Sequence, residues 1–316
     1  MKLDNLYSLR RNFTIIGMTG RTGSGCTRIA NLLGNSYNNL KKDGLRSFDN
    51  DEDLFVRKYN IVNNYMSFGK NWQKFDVISY RNVLLFYLIN KLSKDDIEKA
   101  FFEILKRYFR ETKEEDNKII VLRKFSETTE LIKKYCDLIN NISGFDDFDD
   151  IKNEKELLNL NDTFFGPDFK KFSKEIFGVL RSNGCYFKTT LMLHYVSCNI
   201  RASGNPLIEE SDSIDSIYSI AILINRIIKA RKLYKKNKPC KIVIDSLRNS
   251  LEIMFFKERY SAFYMVATKD IIGSSKERIK LRLKQHIHSN KERELVFEKL
   301  IKLDASEYKT NDFTKG

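Results

Sequence analysis

Short apolar runs alternate along the chain with longer stretches in which apolar residues return every three or four positions. The first run opens FTIIGMTGRTGSGCTRIANLL, residues 13–33, and predicts a buried strand, a glycine-rich loop and a helix ending near Gly34. Asn35 to Asp53 is rich in Asn, Lys, Asp and Gly and reads as a surface loop. Phe75 to Tyr80 (FDVISY) predicts a second strand, which leads into an apolar-periodic helix, VLLFYLINKL. Ser93-Lys-Asp-Asp has the form of an N-cap with an acidic first turn, opening a helix over about residues 95–111. Further helices are expected over about 127–142, 168–180, 188–200 and 213–235. Between them, Gly144 to Asp162 is the most acidic segment and reads as a solvated loop with a short helix. CKIVIDS (240–246) predicts a buried strand ending in Asp245, followed by a helix over about 251–260 and a strand FYMVA (263–267). Two basic helical segments, about 276–289 and 291–303, precede a polar tail.

Strands separated by helices predict an α/β fold with a parallel sheet, because parallel neighbours need long crossovers. Ligands of such sheets lie at the C-terminal ends of the strands. That places the loop after the first strand, Asp245 and the loop after Phe263–Ala267 together.

The first loop carries the sharpest chemistry. Gly20, four residues, then Gly25, Cys26 and Thr27 keep the frame of a phosphate-binding loop, with Cys26 where the frame has lysine. The loop residues Gly20, Arg21, Thr22, Gly23, Ser24, Gly25, Cys26 and Thr27 are therefore the expected nucleotide contacts. Gly23 and Gly25 let the backbone turn close to anionic oxygens, and helix-start amides receive them. Thr27 and Asp245 are the expected Mg²⁺ ligands of a bound nucleoside triphosphate. The missing ammonium is assigned to Arg21 or to an arginine from elsewhere, against the alternative that Arg21 points to water. Cys26 reads as a small filler at the helix start, although a helix N-terminus also activates thiols. The fold expected from this frame is a P-loop kinase-like sheet with a large helical insertion. Residues 1–94 and 236–316 would form the nucleotide-binding core with a basic lid, and 95–235 the insertion.

Four more arginines are candidate nucleotide contacts. Arg248 can reach a phosphate or base, or instead pair with Glu252 one helical turn on. Arg201 stands before a helix stop, NIRASGNP, and is expected to face the cleft. Arg278 and Arg282 lie four apart among lysines, as in a lid that closes over phosphates or as in a plain solvated helix face. No residue is assigned a catalytic role. The acidic residues Asp146, Asp147, Asp149 and Asp150 match no calcium-loop spacing.

Composition narrows the picture further. The chain has 316 residues, 42% of them hydrophobic, and no run long enough for a transmembrane helix, so no membrane partner is expected. MKLDNLYSLRRN has no apolar core of a signal peptide. Five scattered cysteines fit free thiols in a reducing cytoplasm, and three histidines without ligand spacing give no zinc site. The formal charge of +14 suits a nucleic-acid partner by counterion release. The basic residues are spread over many helices, which favours instead a phosphate-binding protein from a lysine-rich proteome.

IIGMTGRTGSGCTRIANLL together with VIDSLRNSLEIMFFKERYSAFYMVATKD resembles the N-terminal P-loop region of bacterial anti-phage dCTP deaminases, and NIRASG is similar to a motif between them. The resemblance covers about half of the residues and leaves 35–184 unassigned. It implies a kinase-like domain followed by a zinc cytidine-deaminase domain, a hydrolase that depletes dCTP during phage infection. The zinc motif, His-x-Glu with a later Pro-Cys-x-x-Cys, is absent; Pro239-Cys240 is followed by Lys-Ile-Val. The ending EYKTNDFTKG looks like an internal segment. The expectation is a fragment of a longer deaminase, or a split protein whose partner carries the zinc. The expected function is thus a regulatory nucleotide-binding module gating an attached or separate deaminase, with self-association into a homo-oligomer. The alternative is a nucleoside monophosphate kinase-like phosphotransferase in which Arg201, Arg248, Arg278 and Arg282 clamp the phosphates.

Overall fold

The computed structural model describes residues 12–43, 53–68, 71–92, 96–109, 114–145, 148, 150–183, 185–209, 214–236, 238–269, 274–287 and 290–307. Four parallel strands make one sheet in the order β2-β3-β1-β4: β1 (Phe13–Thr19), β2 (Asp76–Ile78), β3 (Cys240–Ile244) and β4 (Phe263–Ala267). Phe13 stands opposite Cys240, and Ile15 opposite Phe263. Burial matches this strand order. β1 and β3 lie inside the sheet, and Ile15, Met18, Ile242, Val243 and Ile244 are fully buried. β4 is an edge, and Tyr264 and Val266 are exposed there.

The helices are α1 (Cys26–Leu33), α2 (Tyr37–Asp43), α3 (Leu54–Ser67), α4 (Tyr80–Leu92), α5 (Ile97–Tyr108), α6 (Glu114–Lys134) and α7 (Cys136–Ser143). They continue with α8 (Glu154–Phe165), α9 (Pro167–Arg181), α10 (Tyr186–Ser203), α11 (Ser219–Lys235), α12 (Ser250–Arg259), α13 (Ser274–His286) and α14 (Asn290–Glu307), with a 3-10 turn at Asp215–Tyr218. α2 occupies part of the stretch expected to be loop; residues 44–52 lie outside the described ones. Helix α5 is capped by Asp96, whose side chain accepts from Lys99 N–H at 3.1 Å; Ser93, the expected cap, lies outside the described residues. The single helix expected near 127–142 is two, broken at Tyr135. The acidic segment yields a full helix, α8, because Asn153 caps it and Leu160 and Phe164 bury one side. Asp146, Asp147 and Asp149 lie outside the described residues, and Asp150 pairs with Lys152 at 3.7 Å.

One apolar core runs from the sheet into the helices. It joins Ile15, Ile78, Ile242 and Ile244 to Phe86, around which Phe145, Phe148, Phe164 and Phe169 pack at 5.4–6.2 Å. Buried Asn90 on α4 donates to the carbonyls of Ile142 (3.0 Å) and Phe145 (2.7 Å), satisfying the end of α7. A separate small cluster, Phe187, Ile279, Leu283, Ile287 and Leu300, seats α13 and α14 on the start of α10. Among the described residues no helix is long and apolar enough to cross a membrane.

Candidate functional site

A cavity of about 670 Å³ opens at the C-terminal ends of β1, β2 and β3. Its wall is built by the loop after β1, the start of α4, the segment after β3, the junction of α9 with α10, and α13.

The loop is shaped by its glycines. Gly23 and Gly25 have φ of 87° and 95°, values that other residues adopt only with strain. Arg21 C=O accepts from Ser24 N–H at 2.9 Å, closing the turn. Helix α1 starts at Cys26 with no side-chain cap and no acid in its first turn. Its first main-chain bond is Ile29 N–H to Gly25 C=O at 3.0 Å, so the amides of Cys26, Thr27 and Arg28 have no acceptor inside the helix. An anion at this end gains those donors and the positive end of the helix dipole. Arg21, Thr22, Gly23, Gly25, Cys26 and Thr27 line the cavity; Gly20 and Ser24 hold the loop from behind.

Cys26 is buried. Its Sγ lies 2.9 Å from Thr268 Oγ1, which is also 2.7 Å from Ser24 Oγ, and Thr268 N–H donates to Thr19 C=O at 2.7 Å. Where the usual frame projects an ammonium, this chain ties its loop to the end of β4.

Asp245 is almost wholly buried at the end of β3. Its N–H donates to Ile78 C=O at 3.0 Å, and its carboxylate accepts from Tyr80 N–H at 2.6 Å and from the hydroxyls of Ser79 and Thr27. The two expected Mg²⁺ ligands are therefore side by side, and both offer the hard oxygens that Mg²⁺ takes. Burial pushes the Asp245 carboxyl above its ordinary 3.8, against the pull of Tyr80 N–H, Arg81, Ser79 and Thr27. Ser246, next in the chain and also in the wall, holds φ 55° without being glycine, a strain of the kind found at ligand sites.

Seven arginines line the cavity, and Asp245 is the one carboxylate among its described lining residues. Arg248 crosses to the loop, its Nη1 donating to Thr22 Oγ1 at 3.2 Å. Arg278 reaches the cavity from α13. Arg282 lies on the same helix, and its side chain is outside the described residues. Arg201 also lines the cavity but is 4% exposed, and its Nη1 lies 3.4 Å from Oε1 of fully buried Glu252. Tyr80 hydroxyl donates to Glu252 Oε1 at 2.9 Å and accepts from Arg201 Nη1 at 3.1 Å. Arg201 thus has an internal counter-ion, Arg21 belongs to the loop, and Arg248 reaches the loop through Thr22.

Sequence reasoning missed Tyr80, Arg81, Arg28 and Arg181, all in the wall. Ser79-Tyr80-Arg81 follows β2 directly, so the rule that ligands sit past the strand ends was the available signal. Among the described residues no three His, Cys, Asp or Glu side chains could share a metal ion; His194 Nε2 and Cys198 Sγ are 3.7 Å apart without a third ligand. These residues do not fit a zinc deaminase centre. No family model, curated protein or solved structure matches the chain.

Proposed function

We propose that the chain is a nucleotide-binding module with a P-loop kinase-like core, binding a nucleoside triphosphate with Mg²⁺. One observation carries this reading: the amides at the start of α1, which have no acceptor inside the helix, and the Thr27–Asp245 pair face the same arginine-rich cavity. The polyphosphate lies on Gly20–Thr27, with Arg21, Arg248 and Arg278 supplying the charge that Cys26 does not. Strand order supports the core assignment, since the glycine loop follows β1 and the acid ends its neighbour β3. Thr27 and Asp245 hold the metal, which neutralises phosphate charge when bound. In the larger role implied by the resemblance, the bound nucleotide gates a deoxycytidine-nucleotide deaminase of an anti-phage system, whose zinc site lies on another domain or subunit.

A second reading, phosphoryl transfer between nucleotides, draws on the same arginines. Transfer of labelled γ-phosphate from ATP to deoxynucleoside monophosphates by the purified chain distinguishes it.

Calorimetric titration with the β,γ-imido analogue of ATP tests the binding reading. Affinity is expected to depend on Mg²⁺, and Asp245→Asn is expected to abolish that dependence while keeping the Tyr80 N–H bond. The same variant is expected to unfold at higher temperature than wild type at neutral pH. The sign follows from the raised carboxyl. A proton held more tightly in the fold than in the unfolded chain makes stability fall as pH rises from 3.8 through the folded-state value. Neutral asparagine escapes that loss. Equal affinity with and without Mg²⁺ in the wild type removes the metal role.

A further inference from the structure

The cavity holds more cationic groups than its loop end uses. Arg81, on the first turn of α4, and Arg181, the last residue of α9, both line it. They lie over one ring: the guanidinium carbon of Arg81 is 5.3 Å, and that of Arg181 5.6 Å, from the centroid of Phe177. Arg181 also stacks on Tyr186 at 4.9 Å. Stacking uses the faces of the guanidinium planes and leaves their N–H edges for acceptors. The Nε atoms of both arginines are buried with no hydrogen-bond partner among the described residues. Neither arginine belongs to an ion pair among the described residues, in contrast to Arg201 and Arg231. Burial, and then the charge of Arg81, pull the Arg181 guanidinium below its ordinary 12.5.

Two like charges over one buried ring repel each other, and each buried donor left unmade costs about 1–3 kcal/mol. A dianion with three acceptor oxygens in the cavity offsets the repulsion, and the terminal fork of a guanidinium matches phosphate oxygens. The pair does not coincide with the loop. Arg81 is near enough to Asp245 to act on its carboxyl, and Arg181 lies beyond Phe177 beside Tyr186. Thr190 and His194 add polar groups to this side of the wall, and Phe187 and Leu193 add apolar surface.

We propose that Arg81 and Arg181 form a second phosphate site that takes a phosphomonoester dianion beside the triphosphate on the loop. That it is the second of two sites rests on the nucleotide reading above; the chemistry of the pair does not. The phosphomonoester belongs either to a separate nucleoside monophosphate or to a further phosphate on the ribose of one ligand.

Titration calorimetry on the full chain with dCMP and with inorganic phosphate tests the site. Both are expected to bind. Arg181→Gln is expected to lower their affinity at least about tenfold, the loss of one charge-assisted hydrogen bond, and by more than it lowers affinity for the imido analogue of ATP. Arg181→Lys, which keeps charge and stem but loses the fork, is expected to lose at least about threefold and serves if the glutamine variant does not fold. If dCMP binds at one equivalent to protein saturated with the analogue, the phosphomonoester comes from a second molecule. If dCMP is excluded and a 3′-phosphorylated triphosphate gains affinity through Arg181, it comes from the same ligand. Phosphate and dCMP affinities within twofold of wild type in a folded Arg181 variant overturn the proposal, as does failure of the wild type to bind either at millimolar concentration. Loss of analogue binding in the wild type, with Arg181-dependent dCMP binding intact, sinks the loop reading alone.

Discussion

Gly25→Val is expected to lower affinity for the imido analogue of ATP by at least about tenfold, because one or two amide-to-phosphate hydrogen bonds to a charged group are worth about 1.5–3 kcal/mol each. The cause is backbone conformation alone. Gly25 holds φ 95° and ψ 13°, and a Cβ added there meets nothing within 4 Å. An L-residue in that region costs roughly 1–2 kcal/mol, and more when β-branched, so the loop relaxes to negative φ. That rotation turns the amides of Cys26 and Thr27 away from the cavity while the packing behind them survives. Gly20→Ala makes the contrast. Its φ is 156°, and its Cβ would meet Ser24 Oγ and Thr268 Oγ1 and lie 2.6 Å from the Thr268 carbonyl oxygen. Backbone cannot yield as an open face can, so Gly20→Ala is expected to lower thermal stability as well as binding, whereas Gly25→Val mainly removes binding. Unchanged analogue affinity in folded Gly25→Val refutes the loop as a phosphate cradle.

Cys26 stands where the phosphate-loop frame has lysine. Cys26 Sγ packs with Met18, Ala30 and Val243 and touches Thr268 Oγ1, so its position serves the joint between the loop and β4. The positive charge of the site comes from other elements: Arg21 within the loop, Arg248 after β3, and Arg278 on α13.

Much of the strand skeleton was legible because apolar runs such as IVI (242–244) are bounded by polar residues and lie inside a parallel sheet. The loop was legible because its glycine spacing encodes backbone angles directly. Helices α2 and α3 were not, since their residues carry too many Asn and Lys side chains for propensity to announce a helix; α8 was legible only as a short helix in an acidic loop, and its full length rests on α11 packing on it. The partners of Arg201 were hidden for another reason. Glu252 sits 51 positions away, and only the fold shows that Arg201 finds a counter-ion inside the protein. Arg81 and Arg181 were equally hidden, because their common feature is one ring, Phe177, whose place no local pattern specifies.

Glu252→Ala is expected to destabilise the chain by about 3–5 kcal/mol, the cost of leaving a buried charge without its partner. Glu252 is 0% exposed and Arg201 4%, so water replaces the lost carboxylate poorly. Tyr80 hydroxyl, which donates to Glu252 at 2.9 Å, loses its acceptor in the same step. Glu252→Gln keeps acceptor and shape and is expected to cost less. Arg201→Met together with Glu252→Gln removes both charges at similar volume and is expected to recover most of the loss, so the double variant should unfold above Glu252→Ala in urea or on heating. The pair also reaches the site. Tyr80 links the two ends: its hydroxyl meets Glu252 and Arg201, and its N–H donates to Asp245. Releasing the hydroxyl loosens the turn that holds Asp245, so Glu252→Ala is expected to weaken Mg²⁺-dependent analogue binding in the fraction that remains folded. If the double-variant cycle shows no coupling between positions 201 and 252, the ion pair is not what stabilises this wall, and the predicted transmission through Tyr80 falls with it.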